Sequence, residues 1–255
     1  MDNSILKNKS EESQITEESV SENYTEKEAD ADYGATEKIP DYIKRQKTFR
    51  YKNYLFVKRA FDICISTLLL VLLSWLLLIL AIIVKVSDGG SVFFIHKRVG
   101  KNGKNINIAK FRSMKKNADK LCDSLSQEEL EDYKKEYKLD NDPRITKVGR
   151  FLRKTSLDEL PNLFAVFTGK ISFVGPRPLL ACEAYEKYGK EADKLLSVKP
   201  GMTGWWAVNG RNGVAYQDGK RQSLELYYVD KCSVWFDLKI MFKTVGCVFK
   251  RKGAK

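Results

Sequence analysis

Two adjacent carboxylates, Asp158 and Glu159, are the side chains of this sequence best suited to chemistry. Five basic residues precede them closely in the chain: Arg144, Lys147, Arg150, Arg153 and Lys154. Paired carboxylates suit a divalent metal that bridges to a phosphate, and arginines bind phosphate oxygens through two parallel hydrogen bonds. The combination is typical of phosphoryl transfer, in which positioning and charge neutralisation supply most of the catalysis. One of the two carboxylates could also attack phosphorus covalently.

The spacing around the two carboxylates predicts a helix that begins near Ser156–Asp158. Pro161 then falls in its first turn, where no amide donor is required. A helix N-terminus attracts phosphate, and we expect the arginines upstream to keep Asp158 ionised at neutral pH. A purely structural interpretation competes with this one, because Ser156 and Glu159 have the S-x-x-E spacing of a capping box.

Other kinds of catalytic site lack the necessary residues. A multi-histidine metal site is excluded because the sequence has a single histidine, His96. A Ser-His-Asp triad is disfavoured for the same reason, since it would have to use that one residue. The five cysteines include no C-x-x-C pair, which argues against a disulfide framework or zinc ribbon and for a reducing compartment. No P-loop and no G-x-G-x-x-G motif occurs.

The chain of 255 residues that must position the two carboxylates consists of an acidic N-terminal part and a basic remainder. Residues 1–42 carry a net charge of −8 and show no apolar period, which predicts a disordered acidic tail. Residues 43–255 carry the compensating +20, which suits anionic lipid headgroups. Nucleic acid would attract the same charge, but a membrane segment joined directly to the basic domain argues against it as a partner.

The run Ile63–Val84 contains 22 residues and no charged side chain. A helix of that length extends about 33 Å, enough to cross a hydrocarbon core, and we assign residues 63–86 to a membrane-inserted helix. The basic juxtamembrane segment 43–62 and the basic residues after 84 favour cytoplasmic locations for both flanks. That topology is re-entrant and requires a break near the central Ser74 and Trp75. Neither Pro nor Gly lies there, so a straight spanning helix is equally open.

The remaining residues, 87–255, are predicted to form a cytosolic domain. Alternating residues over Ser91–Val99 and Asn105–Phe111 predict a β-hairpin, and residues 115–138 predict a surface helix. Val234–Lys252 has the pattern of a basic amphipathic helix, suited to a membrane interface, a protein core or both. The predicted fold class is therefore α+β and mostly helical, with a membrane-inserted helix ahead of the catalytic domain.

From about Lys58 to about Lys252 the chain resembles the bacterial sugar transferases, the monotopic polyprenyl-phosphate phosphoglycosyl transferases. The resemblance rests on many short motifs in one order. They are Lys58-Arg59-x-Phe61-Asp62, Val92-Phe93-Phe94, Arg98-Val99-Gly100, Lys110-Phe111-Arg112-Ser113-Met114, Asp142-Pro143-Arg144, Ser156-Leu157-Asp158-Glu159-Leu160-Pro161, Val174-Gly175-Pro176-Arg177-Pro178, Lys199-Pro200-Gly201-Met202-Thr203-Gly204-Trp205, Asn209-Gly210-Arg211-Asn212, Tyr227-Tyr228 and Asp237-Leu238-Lys239.

The resemblance implies transfer of a sugar-1-phosphate from a nucleotide sugar, expected to be a UDP-sugar, to polyprenyl (undecaprenyl) phosphate, with release of UMP. It implies that Asp158 is the nucleophile of a covalent phosphosugar intermediate and that Glu159 helps Asp158 to hold Mg²⁺. The expected phosphate contacts are Arg153, Arg177, Arg211, Arg112 and Lys110. The implied location is the cytoplasmic face of the plasma membrane, among inner-leaflet lipids, and the chain looks like the short form of the family.

Several positions depart from the family pattern. The usual Ser-Pro of the membrane helix is Ser74-Trp75, and further substitutions are Trp206, Ala207, Glu225, Ala165 and Lys170. The dyad of Asp158 and Glu159 is intact, so we expect activity, but the sequence does not identify the sugar that is transferred. An ordinary glycosyltransferase and a non-enzymatic basic membrane scaffold are the alternative functions, and the former would release UDP instead of UMP.

Overall fold

A computed structural model describes residues 40–116, 118, 142, 144–210 and 219–249. The chain divides into two units, Met1–Lys44 and Arg45–Lys255. The helices are α1 (Asp41–Gln46), α2 (Phe49–Leu72), α3 (Ser74–Asp88), α4 (Lys147–Thr155), α5 (Asn162–Phe167), α6 (Ala181–Tyr188), α7 (Ala192–Leu196), α8 (Trp205–Gly210), α9 (Lys220–Lys231) and α10 (Val234–Phe249). The strands are β1 (Phe93–Val99), β2 (Asn105–Phe111), β3 (Ser172–Val174) and β4 (Gly201–Thr203), and Lys101–Gly103, Leu157–Glu159 and Gly189–Glu191 form 3₁₀ turns.

The apolar run forms two helices instead of one. Helix α2 starts well before the run, where the Thr48 side chain accepts the Tyr51 backbone N–H at its N-terminus, and ends at Leu72. Leu73 leaves the helical region at φ −98° and ψ 5°, and α3 continues at an angle of 64°. No described helix is by itself long and apolar enough to cross a membrane, whereas the bent pair meets that requirement together.

The bend lies where the sequence analysis placed its candidate, although neither Pro nor Gly is present. The Ser74 hydroxyl donates to the Val71 carbonyl at 2.9 Å, and the Leu73 N–H bonds both the Leu69 and the Val71 carbonyls. A hydroxyl that bonds back to a preceding carbonyl competes with the regular ladder and bends a helix. The large apolar side chains of Leu68, Leu72 and Leu78 are exposed on the two helices.

The predicted hairpin is confirmed. Strands β1 and β2 pair antiparallel from Phe93↔Phe111 to Val99↔Asn105, and the turn uses positive φ at Asn102 and Gly103. Strands β3 and β4 form a second, parallel two-stranded sheet. The described part of the chain is thus mostly helical with a small hairpin, as the sequence predicted, and the parallel sheet of β3 and β4 is an addition that the sequence did not predict. The predicted disordered tail up to residue 39 and nearly all of the predicted helix 115–138 lie outside the described residues.

The C-terminal helix α10 presents apolar residues to two environments. Ile240 is fully buried in a cluster with Tyr51, Tyr54, Val174 and Tyr228. Trp235, Phe242 and Val245, by contrast, are exposed. The helix therefore packs one side against the domain, which confirms the core interpretation, and leaves a second apolar side exposed.

Candidate active site

The dyad occupies a tight turn between two helices. Helix α4 ends at Ser156, which adopts a left-handed conformation (φ 57°, ψ 18°) that non-glycine residues rarely take. A single 3₁₀ turn, Leu157–Glu159, follows, and α5 begins only at Asn162. A helical turn therefore starts after Ser156, as predicted, but it is a 3₁₀ turn, and the α-helix begins later than expected. Ser156 makes no side-chain capping bond, so the capping-box interpretation is wrong.

Asp158 is buried, with 9% of its surface exposed. Burial raises the pKa of this carboxyl above its ordinary value, the adjacent Glu159 raises it further, and Lys110 and Arg153 oppose the shift. Lys110 and Arg153 thus favour the ionised form of Asp158, as expected, but burial and Glu159 set the net direction of its pKa shift. At this position the loss of hydration and the repulsion from Glu159 raise the pKa by more than the attraction of Lys110 and Arg153 lowers it.

Glu159 is held by a residue from the hairpin. Lys110 of β2 donates to Glu159 Oε1 at 2.7 Å, and about a third of each side chain is exposed. The two residues lie 49 positions apart in sequence. Lys110, one of the predicted phosphate contacts, is thus in direct contact with Glu159 of the dyad.

Arg153 is oriented by Ser113, a residue to which the sequence analysis gave no separate role. The guanidinium Nε donates to Ser113 Oγ at 2.8 Å. Burial lowers the pKa of Arg153, while Asp158 and Asp142 raise it. Gly149 permits this contact, because a Cβ there would lie 1.9 Å from the Ser113 carbonyl oxygen. The close approach of α4 to the end of β2 therefore places Arg153 near enough to Asp158 for their opposite charges to attract each other.

The other basic candidates have different surroundings. Arg112 pairs with Asp88 at the end of α3. Arg177 is exposed, 5.9 Å from the ring centre of Trp206, and it opposes the rise that burial causes in the pKa of Glu225, whose carboxylate accepts the Tyr188 hydroxyl at 2.7 Å. Arg144 is buried in a pair with Asp142. Arg211 lies outside the described residues. The structure thus assembles Asp158, Glu159, Lys110 and Arg153, and gives Arg112 and Arg144 structural partners.

His96 is a further neighbour that the sequence analysis used only to exclude other chemistries. In the hairpin register it pairs with Ile108, which places it on the same face as Lys110. Burial lowers its pKa to about 4, with repulsion from Arg98, Lys110 and Arg153 in the same direction and Glu159 opposing. The ring is therefore neutral at pH 7. An Arg98 N–H points at Nδ1 at 3.2 Å, which assigns the ring proton to Nε2.

The dyad has the donor chemistry of a magnesium site. Among the described residues no group of three or more His, Cys, Asp or Glu side chains is arranged to hold a metal. Mg²⁺, however, is commonly held by only one or two carboxylates together with water and substrate phosphates. The adjacent oxygen ligands of Asp158 and Glu159 fit that mode of binding.

Comparison with known proteins places these residues in a family. The family model described as bacterial sugar transferase matches residues 53–251. The chain is 43% identical over 215 residues to an undecaprenyl-phosphate galactose phosphotransferase of Salmonella typhimurium, covering 83% of this chain and 44% of that one. It is 43% identical over 205 residues to a UDP-glucose:undecaprenyl-phosphate glucose-1-phosphate transferase of Escherichia coli, covering 78% and 41%.

A relative of closer length is the exopolysaccharide production protein ExoY of Rhizobium meliloti. It is 41% identical over 200 residues, which cover 77% of this chain and 87% of ExoY. The chain spans less than half the length of the two longer relatives. The match to the family model extends from the first half of α2 to the end of α10 and includes the dyad, the hairpin and both small sheets. The chain belongs to the bacterial sugar transferase family.

Proposed function

We propose that this chain transfers a sugar-1-phosphate from a UDP-sugar to undecaprenyl phosphate, releasing UMP, in an early membrane step of exopolysaccharide or capsule synthesis. The observation that carries the proposal is the buried Asp158–Glu159 turn, with Lys110 and Arg153 beside it. The Salmonella and Escherichia relatives are named for sugar phosphate transfer to undecaprenyl phosphate, and ExoY is named for exopolysaccharide production.

In the proposed mechanism an oxygen of ionised Asp158 attacks the phosphorus that carries the sugar. The bond from that phosphorus to the bridging oxygen breaks, and UMP leaves. A phosphate oxygen of undecaprenyl phosphate then attacks the same phosphorus, the bond to Asp158 breaks, and the free carboxylate returns. The raised pKa of Asp158 favours this role, because a more basic carboxylate is a stronger nucleophile once it is ionised.

The neighbouring residues neutralise and orient the diphosphate. Arg153, held at Nε by Ser113, has its terminal nitrogens left to bind phosphate oxygens. Glu159 and Asp158 would hold Mg²⁺, which supplies positive charge against the diphosphate when bound. Lys110 restrains the Glu159 carboxylate and adds a further cation beside the reacting phosphate.

The proposal includes insertion of the bent pair α2–α3 into the cytoplasmic face of the plasma membrane as a re-entrant element. The 64° bend at Leu73 and the exposed apolar residues of both helices support this arrangement. Basic residues on both sides of the apolar run favour a return to the same face, and the exposed apolar side of α10 suits inner-leaflet lipids.

Single-cysteine reporters test the topology. On a cysteine-free background, Arg50→Cys and Ser91→Cys lie on the two sides of the bent pair, and both positions are exposed. We expect a membrane-impermeant thiol reagent to label neither in intact cells and both in inside-out vesicles. Labelling of either reporter from outside intact cells would exclude the re-entrant arrangement.

The chemical proposal is tested without acceptor lipid. Purified protein is incubated with Mg²⁺ and a panel of UDP-sugars labelled in the sugar, and covalent label and free nucleotide are measured. We expect a labelled adduct with stoichiometric UMP for the correct sugar. Asp158→Asn should form none, and the exposed control Asp193→Asn should behave as the wild type. Release of UDP, or wild-type product formation by Asp158→Asn, would refute the mechanism.

A further inference from the structure

A cavity of about 160 Å³ lies along one face of α2, before the apolar run begins. Its α2 wall includes Tyr51, Lys58, Arg59 and Asp62, and the opposite side includes Lys101 and Lys199. Lys101 belongs to the hairpin turn, and Lys199 precedes β4. Three separate parts of the chain therefore bring four basic side chains to one cavity, none of which belongs to the dyad or its contacts.

The carboxylates near the cavity are already engaged. Lys58 Nζ pairs with Asp237 at 2.6 Å, which compensates its charge. Asp62 Oδ1 accepts the Ser172 hydroxyl and the Phe173 backbone N–H, each at 3.1 Å. Arg59 donates to the Val166 and Phe167 carbonyls, which are uncharged acceptors. The positive charge of Arg59 therefore has no paired anion among the described residues.

Lys101 and Lys199 add to this excess of positive charge. Within the described ranges, no Asp or Glu oxygen lies within ion-pair distance of either amine. Burial lowers the pKa of Lys199, and repulsion from Arg59, Lys101 and Lys58 acts in the same direction against a smaller opposing effect of Asp62. The single carboxylate of the cavity wall, Asp62, carries less charge than Arg59, Lys101 and Lys199 together, so the remaining repulsion among these cations favours an anion bound between them.

We propose that this cavity is a binding site for a phosphate group, with Lys101, Lys199 and Arg59 as its cationic side chains. Of the tyrosines on its walls, Tyr54 and Tyr228 already donate to Asp237, so the donors that the cavity offers a ligand are chiefly its cationic side chains. The size of the cavity suits a single phosphate with attached ester oxygens. Because the cavity lies directly ahead of Ile63, where the apolar run starts, the phosphodiester of an anionic phospholipid headgroup is within its reach. Free phosphate has the same chemistry, and the experiment distinguishes the two sources.

The test uses the full chain purified in an uncharged detergent. Thermal unfolding is followed against sodium phosphate, with sodium chloride at equal ionic strength as reference. It is also followed against dioctanoyl phosphatidylglycerol, with dioctanoylglycerol as the lipid reference that lacks a phosphate. We expect a saturable increase in melting temperature with the phosphate-containing member of at least one pair. Saturation with the lipid alone assigns a headgroup site, and saturation with both assigns a general phosphate site.

Substitutions locate the effect. Lys199→Gln and Lys101→Gln should each weaken the binding about tenfold or more, because each removes a charge-assisted hydrogen bond. Lys199→Arg should retain binding, and Lys104→Gln removes an exposed charge from the same hairpin connection as a matched control. Without ligand, Lys199→Gln should melt no lower than the wild type, since it relieves repulsion. The proposal would be overturned if phosphate and chloride gave the same melting temperature and the two lipids did so as well. It would also be overturned if Lys104→Gln weakened binding as much as Lys199→Gln does.

Discussion

Asp237→Ala should destabilise the contact between α2 and α10 more than any exposed charge substitution. Lys58 of α2 donates to Asp237 Oδ2 at 2.6 Å, and the two side chains are only 12% and 11% exposed. The hydroxyl groups of Tyr54 and Tyr228 donate to the same carboxylate at 2.9 and 2.8 Å. The substitution leaves the Lys58 ammonium group without its counter-ion and the Tyr54 hydroxyl without its carboxylate acceptor, whereas Tyr228 keeps the Val174 carbonyl at 3.2 Å.

The magnitude follows from the burial of this pair. Removal of one partner from a buried ion pair costs about 3–5 kcal/mol, because the remaining charge is uncompensated. Asp237→Ala belongs at the upper end of that range, since it also removes the carboxylate to which the Tyr54 and Tyr228 hydroxyls donate. Lys58→Met belongs at the lower end, because the tyrosine donors still stabilise Asp237. In a folded unit of this size, such losses lower the melting temperature by about 6–20 °C.

Thermal unfolding in uncharged detergent measures these changes. The matched control is Lys52→Met, which removes an exposed lysine from the same helix and should shift the melting temperature by less than about 2 °C. The double variant should lose less than the sum of the two single losses, because the two residues share one interaction. Shifts of the Lys52→Met size for both single variants, or strict additivity, would refute the assignment of this pair as the link between the helices.

Three further predictions concern the site and the bend. In the presence of a chelator, Asp158→Asn should melt higher than the wild type at pH 7, because the raised pKa makes the wild-type carboxylate destabilising above its ordinary pKa; a gain that does not disappear on acidification to about pH 3 would contradict this. Glu225→Ala should raise the KM for nucleotide sugar about tenfold with a smaller change in kcat, since the segment that carries Arg177 loses the buried carboxylate that attracts it, and an unchanged KM would argue against a positioning role. Trp75→Pro should be tolerated in the first turn of α3 whereas Leu69→Pro inside α2 should cost about 3 kcal/mol, so equal losses of melting temperature would show that the helix is not broken in solution.

Local pattern was sufficient for several elements of this protein. The hairpin followed from alternation of residue types on both sides of a glycine-containing turn, and its register is fixed by that short connection. The dyad was recognisable because its two carboxylates are adjacent and follow a run of basic residues. The sequence indicated where a bend would have to lie, near the central Ser74 and Trp75, but left a straight helix equally open; in the structure the Ser74 hydroxyl bonds the Val71 carbonyl at the bend.

The sequence did not predict the shape and electrostatics of the site. The left-handed Ser156 was missed because its S-x-x-E spacing is equally typical of a helix start. The direction of the Asp158 pKa shift was missed because it depends on burial, which is created by packing between distant parts of the chain.

Distant partners account for the rest of what was missed. Lys110 and Arg112 looked alike in sequence, yet Lys110 pairs with Glu159 and Arg112 pairs with Asp88. Residue type and local spacing therefore determined which groups are available for chemistry. Only the tertiary structure decided their partners and protonation, because both depend on distances through space between residues far apart in the chain.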